Sequence, residues 1–262
     1  MYCPPPPCCK IAVVKKTLEI NACCRKTGKI GLKKFDKHRA FIMFFAAACS
    51  FVALILSIVP VVSISTDDEN VRTTSWTYGS LDGGGEVFVG LNKIVLDSDS
   101  GNTQSAEWKG SQCDDFESFS EGDNFCEDCK VACDSSIGTA VTNLITSLPT
   151  IVTDIQRSTR KGDLNCQKNM AIITGFISFF STLIALSSYA NGCYRNLPDK
   201  FLGQDVRYEL GPGFVCLLAS ALLKPIDIII NIFMPVSPHD DDLNEKLVFE
   251  DVTPDMYDLN LG

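Results

Sequence analysis

Four stretches of this chain lack charge, and they flank one acidic, cysteine-bearing loop. Residues 40–66 and 169–194 contain no Asp, Glu, Lys or Arg. Each holds a run long enough to cross a bilayer, which takes about 20 apolar residues. A third stretch, 210–238, is broken only by Lys224 and Asp227, and a fourth, 135–153, is uncharged but rich in Ser and Thr. This pattern predicts an integral, multi-pass membrane protein and excludes most soluble-enzyme readings.

The net charge of −9 is a sum of opposed blocks. Residues 1–40 hold ten Lys/Arg against Glu19 and Asp36, whereas 65–134 hold four basic against sixteen acidic residues. The basic block abuts a span. Its expected partner is therefore anionic lipid, worth roughly 1 kcal/mol per basic residue near the surface, and not nucleic acid. The first apolar run begins near Ala40, too far in for a cleaved signal sequence, and reads as a retained signal anchor.

Lys and Arg near span ends stay on the cytoplasmic side. Lys33, Lys34, Lys37 and Arg39 precede Phe41, so a head, 1–40, is expected in the cytoplasm. A first span, 41–64, and an outer loop, 65–134, follow. In segment 135–156, Ile137, Val141, Leu144, Ile145, Leu148, Ile151, Val152 and Ile155 recur at helical spacing, with Asn143 and many hydroxyls between them. Two readings stand. One is a weakly apolar second span whose polar face packs on other helices; the other is an amphipathic helix outside the bilayer. With four spans, 157–168 is a cytoplasmic loop, 169–190 a span, and 191–207 a short outer loop. Residues 208–234 form the last span with a membrane-proximal helix, and 235–262 form a cytoplasmic acidic tail. With three spans the sides after residue 135 invert.

The last span contains Lys224-Pro225-Ile226-Asp227. A charge at mid-bilayer costs about 3 kcal/mol. The plainer expectation is that the span ends near Leu223, that Lys224 snorkels to the interface, and that 226–234 lie along the inner leaflet. The alternative is an intramembrane pair, Lys224 and Asp227.

Within the large loop, Thr73–Tyr78 and Glu86–Leu96 read as strands separated by a Gly83-Gly84-Gly85 turn. Cys113, Cys126, Cys129 and Cys133 follow. Their spacing suits tetrahedral zinc, but an outer compartment favours disulfides, and four cysteines allow three pairings. Asp97-Ser98-Asp99-Ser100-Gly101 opens like a calcium loop without its later Glu, so the acidic residues read as a solvated face. Cys3, Cys8, Cys9, Cys23 and Cys24 in the head are acylation candidates beside basic residues. The tail, with Asp240-Asp241-Asp242, Ser237-Pro238 and Thr253-Pro254, reads as disordered. No nucleophile–base pair, phosphate-cradling loop or metalloprotease motif stands out, and the reading is of a non-enzyme without cofactor.

The layout resembles the claudin-like tetraspan superfamily, which includes claudins, peripheral myelin protein, calcium-channel gamma subunits and amastins. Tyr208-Glu209-Leu210-Gly211-Pro212-Gly213-Phe214 is similar to the opening of a claudin's final span, with Glu209, Leu210 and Gly211 as its Glu-Leu-Gly. Ser188-Tyr189-Ala190-Asn191 resembles the end of the third. In the first loop Trp76, then Gly90-Leu91, then Cys113 and Cys126 follow the family's order, with Asn92 where a second Trp would stand. Tetraspanins, whose large loop lies between the third and fourth spans, fit less well.

The resemblance implies an all-α membrane protein: a four-helix transmembrane bundle with a small antiparallel β-sheet in the first extracellular loop, and a Cys113–Cys126 disulfide. It implies a membrane-organising or adhesive role at the plasma membrane or an endomembrane, as a homo-oligomer or with another membrane protein. An auxiliary subunit of a channel or transporter is the second expectation. A small transporter or ion pathway centred on Asn143, Lys224 and Asp227 is the third.

Overall fold

The computed structural model describes residues 38–99, 101–110, 113, 125–159, 165–201 and 203–235. The acylation candidates Cys3, Cys8, Cys9, Cys23 and Cys24, most of the basic head and the acidic tail lie outside the described residues.

Four long helices carry the fold: α1 (Arg39–Val62), α3 (Phe125–Ser158), α4 (Asn165–Gly192) and α5 (Pro212–Phe233). A short helix, α2 (Asp68–Thr74), follows α1. The strands are β1 (Thr77–Leu81), β2 (Gly85–Val89), β3 (Lys93–Ser98), β4 (Thr103–Glu107), β5 (Lys200–Phe201) and β6 (Gln204–Leu210). Helix α1 has 24 residues, about 36 Å at 1.5 Å per residue, enough for a hydrocarbon layer of about 30 Å. Among the described residues, α1, α5 and the stretch Cys166–Asn196 are long and apolar enough to cross a membrane.

The long helices pack side by side, α1 against α3 and α5, and α4 against α3 and α5. The hydroxyls of helix α3 find their acceptors within the helix itself. Ser136, Thr139, Thr142, Thr146, Ser147, Thr150 and Thr153 each donate to the carbonyl four residues back. A Ser/Thr-rich helix therefore leaves these donors satisfied wherever it is placed. At the start of α5, Gly211 is extended at the cap and Pro212 takes the first turn, where its missing N–H costs nothing.

The strands form one antiparallel sheet in the order β4-β3-β2-β1-β6-β5. The triple glycine makes the β1–β2 turn, with Gly84 at φ +89°, a conformation that disfavours any side chain. One face buries Leu81, Val87, Val89, Ile94, Leu96 and Ala106 toward the helix ends. The other is partly covered by α2, whose Val71 packs on Phe88, Val95 and Tyr78.

Three boundaries depart from expectation. Residues 73 and 74 end helix α2 and do not begin a strand. Residues 86–96 bend at Gly90-Asn92 into two strands. Residues 208–210, expected to open the last span, end strand β6, and β6 pairs with β1 along Thr77–Leu81. The second loop thus completes the sheet of the first, a long-range pairing with no local signature.

Across the sheet, the Arg72 guanidinium donates twice to Asp97 at 2.7 Å, and Thr103 Oγ1 donates to Asp97 at 2.7 Å. The Arg72 hydrogen bonds hold the Asp97 carboxyl below its ordinary range. A lowered folded value means stability that is present above the unfolded carboxyl value of about 3.9 and is lost as pH falls through the folded one. In acid titration followed by sheet circular dichroism, an acid limb below about pH 4 as steep for Asp97→Asn as for the parent would mean that this link is absent. The expected result is the reverse, a flatter acid limb in the variant.

Candidate functional site

The interior of the helices is polar. On α3 the buried residues Asn143, Ser147, Thr150, Asp154 and Arg157 recur at spacings of four, three, four and three. On α5 the buried residues Ser220, Lys224, Asp227 and Asn231 do the same. This is the seam spacing of packed helices, occupied here by polar side chains. Ser50 and Ser57 of α1 and Thr174 and Ser178 of α4 face them.

Near the sheet end, the Ser57 and Ser220 hydroxyl oxygens lie 2.9 Å apart, and each is within hydrogen-bonding distance of the Ala53 carbonyl, so one serine donates to that carbonyl and the other to it or to its neighbour. Asn143 Nδ2 donates to Ser57 Oγ at 3.0 Å. Lys224 Nζ donates to Asn143 Oδ1, Ser178 Oγ and Ser147 Oγ, the last at 3.1 Å. Ser178 Oγ donates to Asn143 Oδ1 at 2.7 Å. Toward the other end, Asn231 Nδ2 donates to Asp154 Oδ1 and Asp227 Oδ1, each at 2.9 Å. Ser50 Oγ donates to Asp154 at 3.3 Å. Arg157 donates to Asn231 Oδ1 and, at 3.1 Å, to the Met234 carbonyl. Lys168 Nζ donates to the Ile232 and Met234 carbonyls. Two cations from α3 and α4 therefore cap the carbonyl end of α5, as its dipole favours.

The snorkelling expectation for Lys224 is overturned. Helix α5 continues through Pro225 to Phe233, and Lys224 is 7 % exposed. The reason is the cage of three oxygen acceptors, which replaces water around the amine. Residues 226–233 continue the same helix and do not lie apart from it. Lys224 and Asp227 do share one buried stripe, and Asn143 joins them. Asp154, Arg157, Ser178 and Asn231 were not singled out from sequence. The heptad spacing of polar residues on α3 and α5 is the signal that would have found Asp154, Arg157 and Asn231, whereas Ser178 lies on α4.

At the sheet end the helices close over aromatic rings. Trp76 is fully buried, 4.8 Å between ring centroids from Tyr189 and 5.9 Å from Phe214. Its Nε1 donates to the Pro60 carbonyl at 3.4 Å, and the Tyr189 and Thr77 hydroxyls bond at 2.7 Å. The residues similar to the claudin motif sit around this core. Gly90 and Leu91 are buried, and the Gly90 carbonyl accepts from Trp108 Nε1 at 3.2 Å. Gly211 is buried under the Ser75 carbonyl, whereas Glu209 and Leu210 are exposed. A Cβ on Gly213 would lie 2.8 Å from Trp76 Cδ1. Gly213→Ala is therefore expected to cost about 1–3 kcal/mol through overpacking, read as a lower unfolding midpoint by tryptophan fluorescence.

Two disulfides fasten this end. Cys113 bonds Cys126, and Cys129 bonds Cys193 across 64 residues. Cys133, grouped with the disulfide candidates from sequence, is a buried thiol; the partner of Cys129 comes from the second loop because α3 and α4 end side by side there. Among the described residues no group of three or more His, Cys, Asp or Glu is placed to hold a metal.

No protein-family model matches this chain, and no curated protein matches it.

Proposed function

We propose that the protein is a four-span membrane protein of claudin-like layout whose sheet-bearing end makes membrane-organising or adhesive contacts. The observation that carries this is how firmly the sheet is fixed to the helix ends. Strand β6 leads directly into α5, β1 pairs with β6, and Cys129–Cys193 ties α3 to the chain that follows α4. A fixed platform presents the same surface to every partner, which lowers the ordering cost of association. Among the described residues its outermost long strand, β4, pairs on one side with β3, and an edge of this kind is a site for strand addition.

The fourth span in this reading is α3. Ile145, Leu148, Val152 and Ile155 are exposed, while Asn143, Ser147, Thr150 and Asp154 are buried. A helix solvated by water places these classes the other way round; lipid as solvent selects this arrangement. The basic residues before α1 favour a cytoplasmic N-terminus and an outward sheet, with anionic lipid at the head.

Self-association tests the proposal. Full-length protein in mild detergent is expected to run as an oligomer, and surface cross-linking is expected to join copies through residues 65–134. A monomer from which cross-linking captures no partner sinks it. Co-purification of a stoichiometric larger membrane protein instead favours the auxiliary-subunit reading. Thiol labelling in sealed vesicles reads orientation at Cys166, which is exposed; Cys193 is unsuitable because it is disulfide-bonded.

A second reading, a small transporter or ion pathway, draws support from the buried charges. Against a through-path, the column beyond Ser57 runs into the Trp76, Tyr189 and Phe214 rings. Liposome flux that persists in Lys224→Ala with Asp227→Ala excludes a pathway through these groups.

A further inference from the structure

Helix α2 lies over β2 and β3 on the outer face of the sheet, where Val71 packs on Phe88 and Val95 and Arg72 is bonded to Asp97. Over β1 and β6 the same face is more open. Side chains alternate along a strand. Thr77, Gly79 and Leu81 of β1 are buried toward the helix ends, so Tyr78 and Ser80 point outward, and both are half-buried. Beside them on β6, Arg207 and Glu209 are exposed.

The register fixes what surrounds Tyr78. It stands opposite Phe88 on one side and Glu209 on the other, while Ser80 stands opposite Glu86 and Arg207. Directly opposed Cβ atoms lie about 5 Å apart. The Tyr78 and Phe88 rings are 5.5 Å apart between centroids, and the Tyr78 hydroxyl donates to Glu86 Oε1 at 2.9 Å. One aromatic ring is thus flanked by two carboxylates on the outer side of the sheet.

Three carboxylates nearby have cations: Asp97 pairs with Arg72, Asp68 with Lys93, and Asp82 with Arg207, the one cation of β6. Among the described residues Glu86 and Glu209 are in no ion pair. Tyr78 already aims Glu86, which lowers the cost of ordering that carboxylate for a partner. An ammonium or guanidinium over the Tyr78 ring gains the ring's quadrupole and the two carboxylates together.

We propose that this face of β1 and β6 docks a basic segment of a partner protein, with a lysine or arginine over Tyr78 between Glu86 and Glu209. The surrounding charge favours that occupant. Residues 65–134 hold sixteen acidic against four basic residues, a field that draws cations in and raises their rate of encounter. A second copy brings the same carboxylates face to face, and opposed like charges disfavour such a contact. The inference rests on the adhesive reading only in placing this face where another protein reaches it, and it names that partner's chemistry.

The test uses full-length protein in phosphatidylcholine nanodiscs and a fluorescent octalysine peptide, read by anisotropy at low and physiological salt. Octalysine is expected to bind, more weakly as salt rises, and octaglutamate is not. Glu86→Gln with Glu209→Gln is expected to weaken octalysine binding about tenfold. Glu107→Gln with Glu127→Gln removes the same charge from exposed residues elsewhere and is expected to change it less than about twofold. Tryptophan fluorescence confirms folding; if the first double does not fold, Glu209→Gln alone is read against Glu127→Gln alone, with a loss of about threefold expected for the former only. Equal losses at the two places mean a diffuse attraction to acidic surface and overturn the proposal, as does a parent protein that binds no octalysine. The parent's size in mild detergent separates this inference from self-association. A monomer that binds octalysine through Glu86 and Glu209 upholds it where self-association fails, and an oligomer that does not bind octalysine overturns it alone.

Discussion

Replacing Lys224 with methionine is expected to lower stability by about 3–5 kcal/mol, the cost of breaking a buried charge arrangement from one side. The substitution leaves the oxygens of Asn143, Ser147 and Ser178 without their shared donor and the Asp227 carboxyl without its nearby cation. The double substitution Lys224→Met with Asp227→Asn is expected to recover roughly half of that loss, because removing both charges also removes their desolvation cost. Unfolding midpoints in mild detergent, followed by the fluorescence of Trp76 and Trp108, measure both. Additive losses would mean that the two side chains act separately and that the column is not one network.

Lys224 also shows how far the sequence could be read. Lys224-Pro225-Ile226-Asp227 was recognisable as an unusual tetrapeptide in an apolar run. Local rules favour ending a helix there, since proline removes a donor and a charge in lipid is expensive. The helix continues because other chain segments supply what those rules assume is missing. Asn143 and Ser147 lie about 80 residues away from Lys224, at separations of 81 and 77, and Ser178 lies 46 away. A cost computed from one helix cannot include acceptors brought by two others.

Cys129→Ser is expected to cost about 4 kcal/mol, more than the roughly 3 kcal/mol expected for Cys113→Ser, because the loop it closes is 64 residues against 13 and closure entropy grows with loop length. The same substitution frees the Cys193 thiol, which is buried in the folded protein and is expected to react with a thiol label only on unfolding. The paired variant Cys129→Ser with Cys193→Ser separates the lost bond from effects of a new free thiol. If its midpoint matches the parent's, the β1–β6 pairing alone fastens the sheet.

The cysteines divide along the same line. The resemblance in the first loop pointed to Cys113 with Cys126, 13 residues apart, and the structure pairs them. Cys129 and Cys133 were also candidates, one helical turn apart. Sequence separation made Cys193 remote, and the antiparallel packing of α3 on α4 made it adjacent. Trp76 was legible as a motif residue, but its burial depends on Tyr189 and Phe214 from the last two helices.

What the sequence determined by itself is the set of parts. Uncharged runs define where helices form in an apolar solvent, and Val, Phe and Ile between glycines define a hairpin, because each depends on residues within a few turns of one another. Only the tertiary structure decided how the parts meet: that β6 completes the sheet, that Cys193 takes Cys129, and that the polar stripes of α3 and α5 face each other. Those outcomes rest on contacts between segments far apart in the chain, where a side chain's partner is set by packing and not by its neighbours in sequence.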